Sequence, residues 1–220
     1  MGIAIIIEKG TKKTFASALD WPGWCRSAGT PDEALRSLTA YRPRYQEVLV
    51  AAGVGTKASG RIEVVEVLEG DASTDFGAPG AIASAERELA TIAQVAKQTA
   101  ILQACWGAFD RAVAEAADAL LRTGPRGGGR QVGAIVAHVL EAEASYLRRI
   151  AVKAPAFDPS EVAAANLERA ATLEGISRAV REGLPEEGPR GGVIWPVRYF
   201  IRRAAWHALD HAWEIQDRLS

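Results

Sequence analysis

Up to residue 70 the apolar positions fall in short runs separated by turn residues. Beyond residue 80 they recur at helical spacing over long stretches. "IAIIIE" near the start is a β-rich run, and "KTFASAL" alternates, which predicts two strands. "DWPGW" breaks the pattern with Pro22 and Gly23, and "WCRSAG" predicts a short third strand. Thr30 then stands as a helix N-cap. Pro31 suits the first helical position, and Glu33, three residues after the cap, completes a capping box. Ala34, Leu35, Leu38, Tyr41 and Tyr45 carry that helix forward, while Pro43 bends or interrupts it. "GVGTKASG" predicts a loop, and "RIEVVEVLEG" alternates as a last strand. Residues 1–70 are therefore expected to form an α+β module of order β-β-β-α-β.

"GDASTDFGAPG" is small, polar and proline-containing, as linkers are, and places a boundary at residues 71–80. From residue 81 to Leu121 the chain has helical apolar spacing and no proline, which predicts one very long helix or two in line. "GPRGGGR" stops it. "QVGAIVAHVLEAEASYLRRIAVK" predicts the next helix. Ser160 is placed to cap "EVAAANLERAATLEGISRAVREGL", and "VIWPVRYFIRRAAWHALDHAWEIQDRLS" predicts the last helix, with Pro196 in its first turn. The stop "GPRGG" occurs at 124–128 and again at 188–192; two similar glycine-rich loops explain it as well as a duplication does. Long helices with short connections predict an all-α, antiparallel four-helix bundle over residues 81–220.

Composition narrows the function classes. The 220 residues carry 26 basic and 27 acidic side chains. That balance gives no basic excess for nucleic acid or an anionic membrane. No stretch is long and apolar enough to predict a membrane span. "MGIAIII" is too short for a signal peptide. Cys25 and Cys105 fit no zinc or redox spacing. These features lead us to expect a cytoplasmic protein in a reducing compartment.

The chain has only three histidines, and two of them, His207 and His211, stand four apart on the predicted last helix. That spacing puts both on one face. His138 falls on the predicted second long helix, with Ile135, Ala142 and Tyr146 near its side. If the two faces meet in a bundle, three imidazoles converge. Neutral imidazole suits zinc, nickel, iron or copper, and three protein ligands leave a coordination position open. Ligating histidines usually donate their other N–H to a carboxylate, and Asp210, Glu214 and Glu141 are candidates for that role. The residues also admit blander readings. His138 alone suits a hydrogen-bonded core position, and "HALDHAWEIQDR" is charged enough for a solvated, salt-bridged face.

Two resemblances extend this reading. "FASALDWPGWCRSAGTPDEALRSL" resembles the HicB-like family, with Phe15, Asp20, Pro22, Gly23, Gly29, Thr30, Glu33, Ala34 and Leu35 at the matching places. It implies a small β-β-β-α-β domain of a kind often found in antitoxins with a separate DNA-binding segment. No helix-turn-helix or basic arm follows here, which leaves a dimerising or docking module and no nucleic-acid partner. The C-terminal part is similar to the DinB-like superfamily, which includes the mycothiol-dependent maleylpyruvate isomerases. His138 in "IVAHVLEAEASYLRRI" and His207 and His211 in "WHALDHAWE" fill the three metal-ligand places, with Glu143 at the acidic place. "GRQVGAIVAH" lacks the tryptophan usual at the start of the second helix, so substrate contacts there do not transfer. The resemblance implies a four-helix bundle binding a divalent metal, zinc or nickel. It also implies thiol S-transfer or isomerisation of a small-molecule substrate with a low-molecular-weight thiol, and a homodimer. The alternative is a non-enzymatic, stress-related binding or dimerisation scaffold with a structural or vestigial metal site.

Overall fold

The computed structural model describes residues 2–54, 58, 60–116, 119–123, 129–156, 164–188 and 191–219. The first "GPRGG" copy, Pro189 and Arg190 of the second, and Ser160 lie outside the described residues. The described chain forms an α+β fold with a four-stranded mixed sheet and seven helices. It divides into two compact units, Met1–Cys105 with Ile201–Trp206, and Trp106–Phe200 with His207–Ser220.

In the first unit the strands are β1 (Ile3–Lys9), β2 (Thr14–Ala18), β3 (Cys25–Ala28) and β4 (Ile62–Glu69), in spatial order β3-β2-β1-β4. β1 pairs antiparallel with β2 and parallel with β4. Its near-continuous apolar run reflects that inner position: Ile3, Ile5, Ile6 and Ile7 are all buried, as expected for a strand covered on both faces. The edge strand β4 instead exposes Val65 and Val67. Between Ile5↔Val64 and Ile6↔Glu66 the register shifts by one, so Val65 forms a bulge, a common device for bending an edge strand.

The predicted helix after Thr30 is two helices, α1 (Pro31–Ala40) and α2 (Arg42–Ala51). Thr30 Oγ1 accepts the Glu33 N–H as the cap. Pro43 sits in the first turn of α2, where its missing N–H breaks no helical bond. Trp24 stacks on Tyr45 with centroids 5.3 Å apart. Its indole N–H donates to Leu38 O at 2.9 Å, and the Tyr45 hydroxyl donates to Pro22 O at 2.9 Å.

Residues 71–80, expected to link two domains, hold the short helix α3 (Ala72–Phe76), capped by Asp71 and closed by Gly77 at φ 118°. Gly77 adopts the left-handed conformation that only glycine reaches without strain. The buried Glu8 carboxylate ties this stretch down by accepting from the Thr74 hydroxyl and from the Gly80 and Ala81 N–H groups.

The stretch from residue 81 is neither of the two helical arrangements expected. It forms a 3-10 turn at Ser84–Glu86, and helix α4 (Ile92–Glu115) begins only after Thr91. Two bonding patterns explain the break. The buried Glu86 carboxylate accepts the Ala83 N–H at 2.9 Å and the Arg202 guanidinium at 2.6 and 3.0 Å. Thr91 and Gln94 cap the new helix reciprocally: Thr91 Oγ1 accepts the Gln94 N–H, and Gln94 Oε1 accepts the Thr91 N–H.

The second unit holds the rest of α4, then α5 (Val132–Leu147), α6 (Ala164–Glu182) and most of α7 (Val197–Leu219). Ile135, Val139, Leu140 and Leu147 make the buried stripe of α5. Gly175 permits a close approach, because a Cβ there would stand 2.5 Å from Val152 Cγ2. Asp110 of α4 takes both guanidinium arms of Arg169 of α6, at 2.6 and 2.8 Å. Pro196 precedes the first turn of α7, its carbonyl accepting the Phe200 N–H. Among the described residues no helix is long and apolar enough to cross a membrane.

Candidate functional site

α7 carries His207 and His211 one turn apart, with ring centroids separated by 4.8 Å. α5 brings His138 to both, at 5.1 Å from the His207 ring and 5.2 Å from the His211 ring. One ring nitrogen from each lies within 4.8 Å of the other two. The closest pair is His207 Nε2 and His138 Nε2, 3.3 Å apart. Two arrangements suit that spacing. One is an N–H···N bond between neutral rings. The other is two lone pairs aimed at one cation, because bonds of about 2.0–2.1 Å at a tetrahedral angle put two nitrogens about 3.3–3.4 Å apart.

His207 is buried, while His138 and His211 are half-buried. Burial, the Arg130 charge and His211 hold the His138 imidazole below its ordinary pKa, against the pull of Glu141 and Glu214. A neutral ring with an available lone pair is the form a metal binds.

The three expected carboxylates stand differently. Glu214 Oε2 meets His211 Nδ1 at 2.8 Å, which fixes the tautomer and leaves the lone pair of His211 Nε2 available. That bond from His211, ahead of the Arg218 contact, holds the Glu214 carboxyl below its ordinary pKa. Glu141 is exposed on α5, and Asp210 is half-buried next to His211 in the chain. Glu143, at the acidic place of the resemblance, is buried and accepts the Trp106 indole N–H at 2.9 Å.

One participant, Arg218, was missed from the sequence. Arg218 Nη1 donates to Glu214 Oε1 and to Arg130 O, each at 2.8 Å, and its Nε donates to Arg122 O at 2.8 Å. Arg218 thus anchors the carboxylate that orients His211. Its signal was available, since His207, His211, Glu214 and Arg218 follow the i, i+4, i+7, i+11 stripe of one helix face. Tyr146, two turns beyond His138, packs its ring 5.9 Å from that of His207.

No protein-family model matches the chain, and neither a curated protein nor a solved structure matches it.

Proposed function

We propose that this chain binds a divalent cation, zinc or nickel, through His138, His207 and His211, and uses it to activate a low-molecular-weight thiol for transfer or isomerisation of a small electrophilic substrate. The observation that carries the reading is the meeting of one nitrogen from each of the chain's three histidines within 4.8 Å. The Arg218–Glu214–His211 relay supports it, because ligating imidazoles ordinarily donate their second N–H to such an acceptor. The finer fold assignment belongs to the same proposal: a HicB-like module built on the sheet, and a DinB-like four-helix bundle built from α4 to α7.

In this reading His138 and His207 bind through Nε2, and Glu214 holds the His211 ring so that its own Nε2 faces them. The bound cation would lower the pKa of a thiol or water at its open position. His207, the buried ligand, would keep the imidazole set in a site of low dielectric. The chain's thiols are not assigned the nucleophile's role, because Cys25 and Cys105 are both buried.

Metal analysis of the purified protein, followed by zinc and nickel titration of chelated protein, tests the reading. About one equivalent of metal is expected per chain, falling below a tenth of that in His207→Ala. Unchanged metal content in that variant overturns the ligand set. A thiol-transfer screen with and without chelator then separates the two functional readings. Metal without chelator-sensitive turnover leaves the scaffold reading in place.

A further inference from the structure

The second unit contains a cavity outside the histidine cluster. α5 ends at Leu147, and the chain tightens into a 3-10 turn, Arg148–Ile150, before Ala151 reverses it at φ 56°. The segment leading into α7 folds back on this turn: the Trp195 N–H donates to Arg149 O at 2.8 Å. Between them lies a cavity of about 230 Å³, lined by Ser145, Arg148, Arg149, Gly192 and Val193.

Its chemistry is one-sided. Among the described residues both charged side chains in the lining are arginines, and no carboxylate is among them. Among the described residues no ion pair engages Arg148 or Arg149. The Ser145 hydroxyl donates to Ala142 O at 2.7 Å, so its proton is committed within the helix and the arginines are the charged donors of the lining. Arg149 is held in place: one Nη1 bond runs to Val193 O at 3.3 Å, and its guanidinium lies 5.5 Å from the centre of the Trp195 ring. A held guanidinium keeps its remaining donors in fixed geometry and loses less entropy on binding. The held Arg149 and the exposed Arg148 on one small cavity match an oxyanion, which guanidinium binds with paired, charge-assisted hydrogen bonds.

We propose that this cavity is a binding site for a small molecule presenting an oxyanion, carboxylate or phosphate, gripped by Arg148 and Arg149, with the Arg149 guanidinium steadied beside the Trp195 ring. The site stands without the metal reading and is tested apart from it.

Inorganic phosphate and acetate are titrated into chelated full-length protein at constant ionic strength, with chloride as the balancing salt. Tryptophan fluorescence and calorimetry are the readouts. Saturable binding of at least one anion is expected, with a dissociation constant raised about 10-fold or more in Arg148→Gln/Arg149→Gln, the scale of losing one or two charge-assisted bonds. Arg148→Lys/Arg149→Lys should fall between the two, since lysine keeps the charge and loses the fork. Arg148→Gln alone, at an exposed position, gives the same direction of change if the double variant does not fold. Binding unaltered by these substitutions, or no saturation beyond the chloride control, overturns the proposal. Restoring zinc afterwards leaves anion affinity within about 2-fold if the two sites are independent, so loss of the metal reading and loss of this one give different results.

Discussion

Among the described residues each unit buries two carboxylates, and the two units treat them in opposite ways. In the sheet unit Glu8 and Glu86 are 2 % and 1 % exposed, and both are saturated. Glu8 accepts a hydroxyl and two backbone N–H groups, and Glu86 accepts an N–H and both arms of Arg202. In the helical unit Glu143 and Glu168 are 4 % and 0 % exposed. Glu143 accepts the Trp106 N–H, and among the described residues neither oxygen of Glu168 has a hydrogen-bond partner. The neighbouring Arg169 is already engaged by Asp110. Burial first, then the Glu143 charge, pushes Glu168 up to about 9, and burial pushes Glu143 up to about 7. A saturated buried carboxylate fixes structure. An unsaturated pair holds protons and makes its surroundings sensitive to pH.

The largest loss of stability expected from this contrast is on the saturated side. Arg202→Met leaves Glu86 buried without its counter-charge, and breaking such a pair costs about 3–5 kcal/mol. Denaturant unfolding should show that loss, and Arg202→Met/Glu86→Gln should recover part of it, because the second change removes the stranded charge. A single variant within about 1 kcal/mol of the parent would mean that Arg202 does not carry the anchoring of residues 81–86.

Glu168→Gln acts in the other direction. The folded protein holds the Glu168 proton up to about 9, whereas the unfolded chain releases it near 4.5. Between those values the native state binds more protons than the unfolded state, so stability falls as pH rises across that window and is not reduced below it. Glutamine keeps the shape and removes the titration. The variant should match the parent near pH 4 and exceed it by on the order of 5 kcal/mol near pH 8. Thermal melts at several pH values check this, and a difference that stays constant with pH would refute it.

The contrast also marks where the sequence was legible. The strands and long helices could be read because apolar spacing reports local burial: alternation gave the strands, and the run Ile5, Ile6, Ile7 reads as β wherever it sits. His207 and His211 could be paired because four-residue spacing is a property of the helix itself. The start of α4 could not be read. "SAERELA" has good helical propensity, and what breaks it is Glu86 meeting Arg202, 116 residues away in the chain. Glu168 was hidden for the same reason. In "NLERAATLEG" it reads as one more solvated helix charge, and only the packing of α5 and α6 takes it out of water. Long-range pairing of charged side chains leaves no periodicity, so the parts that depend on it had to come from the structure.

The smallest effect tests whether the Trp106 bond to the helical unit's acidic pair matters. The Trp106 indole N–H is the hydrogen bond that draws Glu143 downward against burial. It favours the ionised carboxylate, so its contribution should be largest above pH 7 and shrink as Glu143 takes up its proton. Trp106→Phe removes the donor and some packing together. The packing loss is independent of pH, so the difference between the loss at pH 8 and the loss at pH 5 isolates the bond. We expect that difference to be about 1 kcal/mol, within the usual range for a hydrogen bond to a charged group. If Trp106→Phe destabilises equally at both pH values, Glu143 is not titrating in that interval. The proton-holding character of the helical unit's pair would then rest on Glu168 alone.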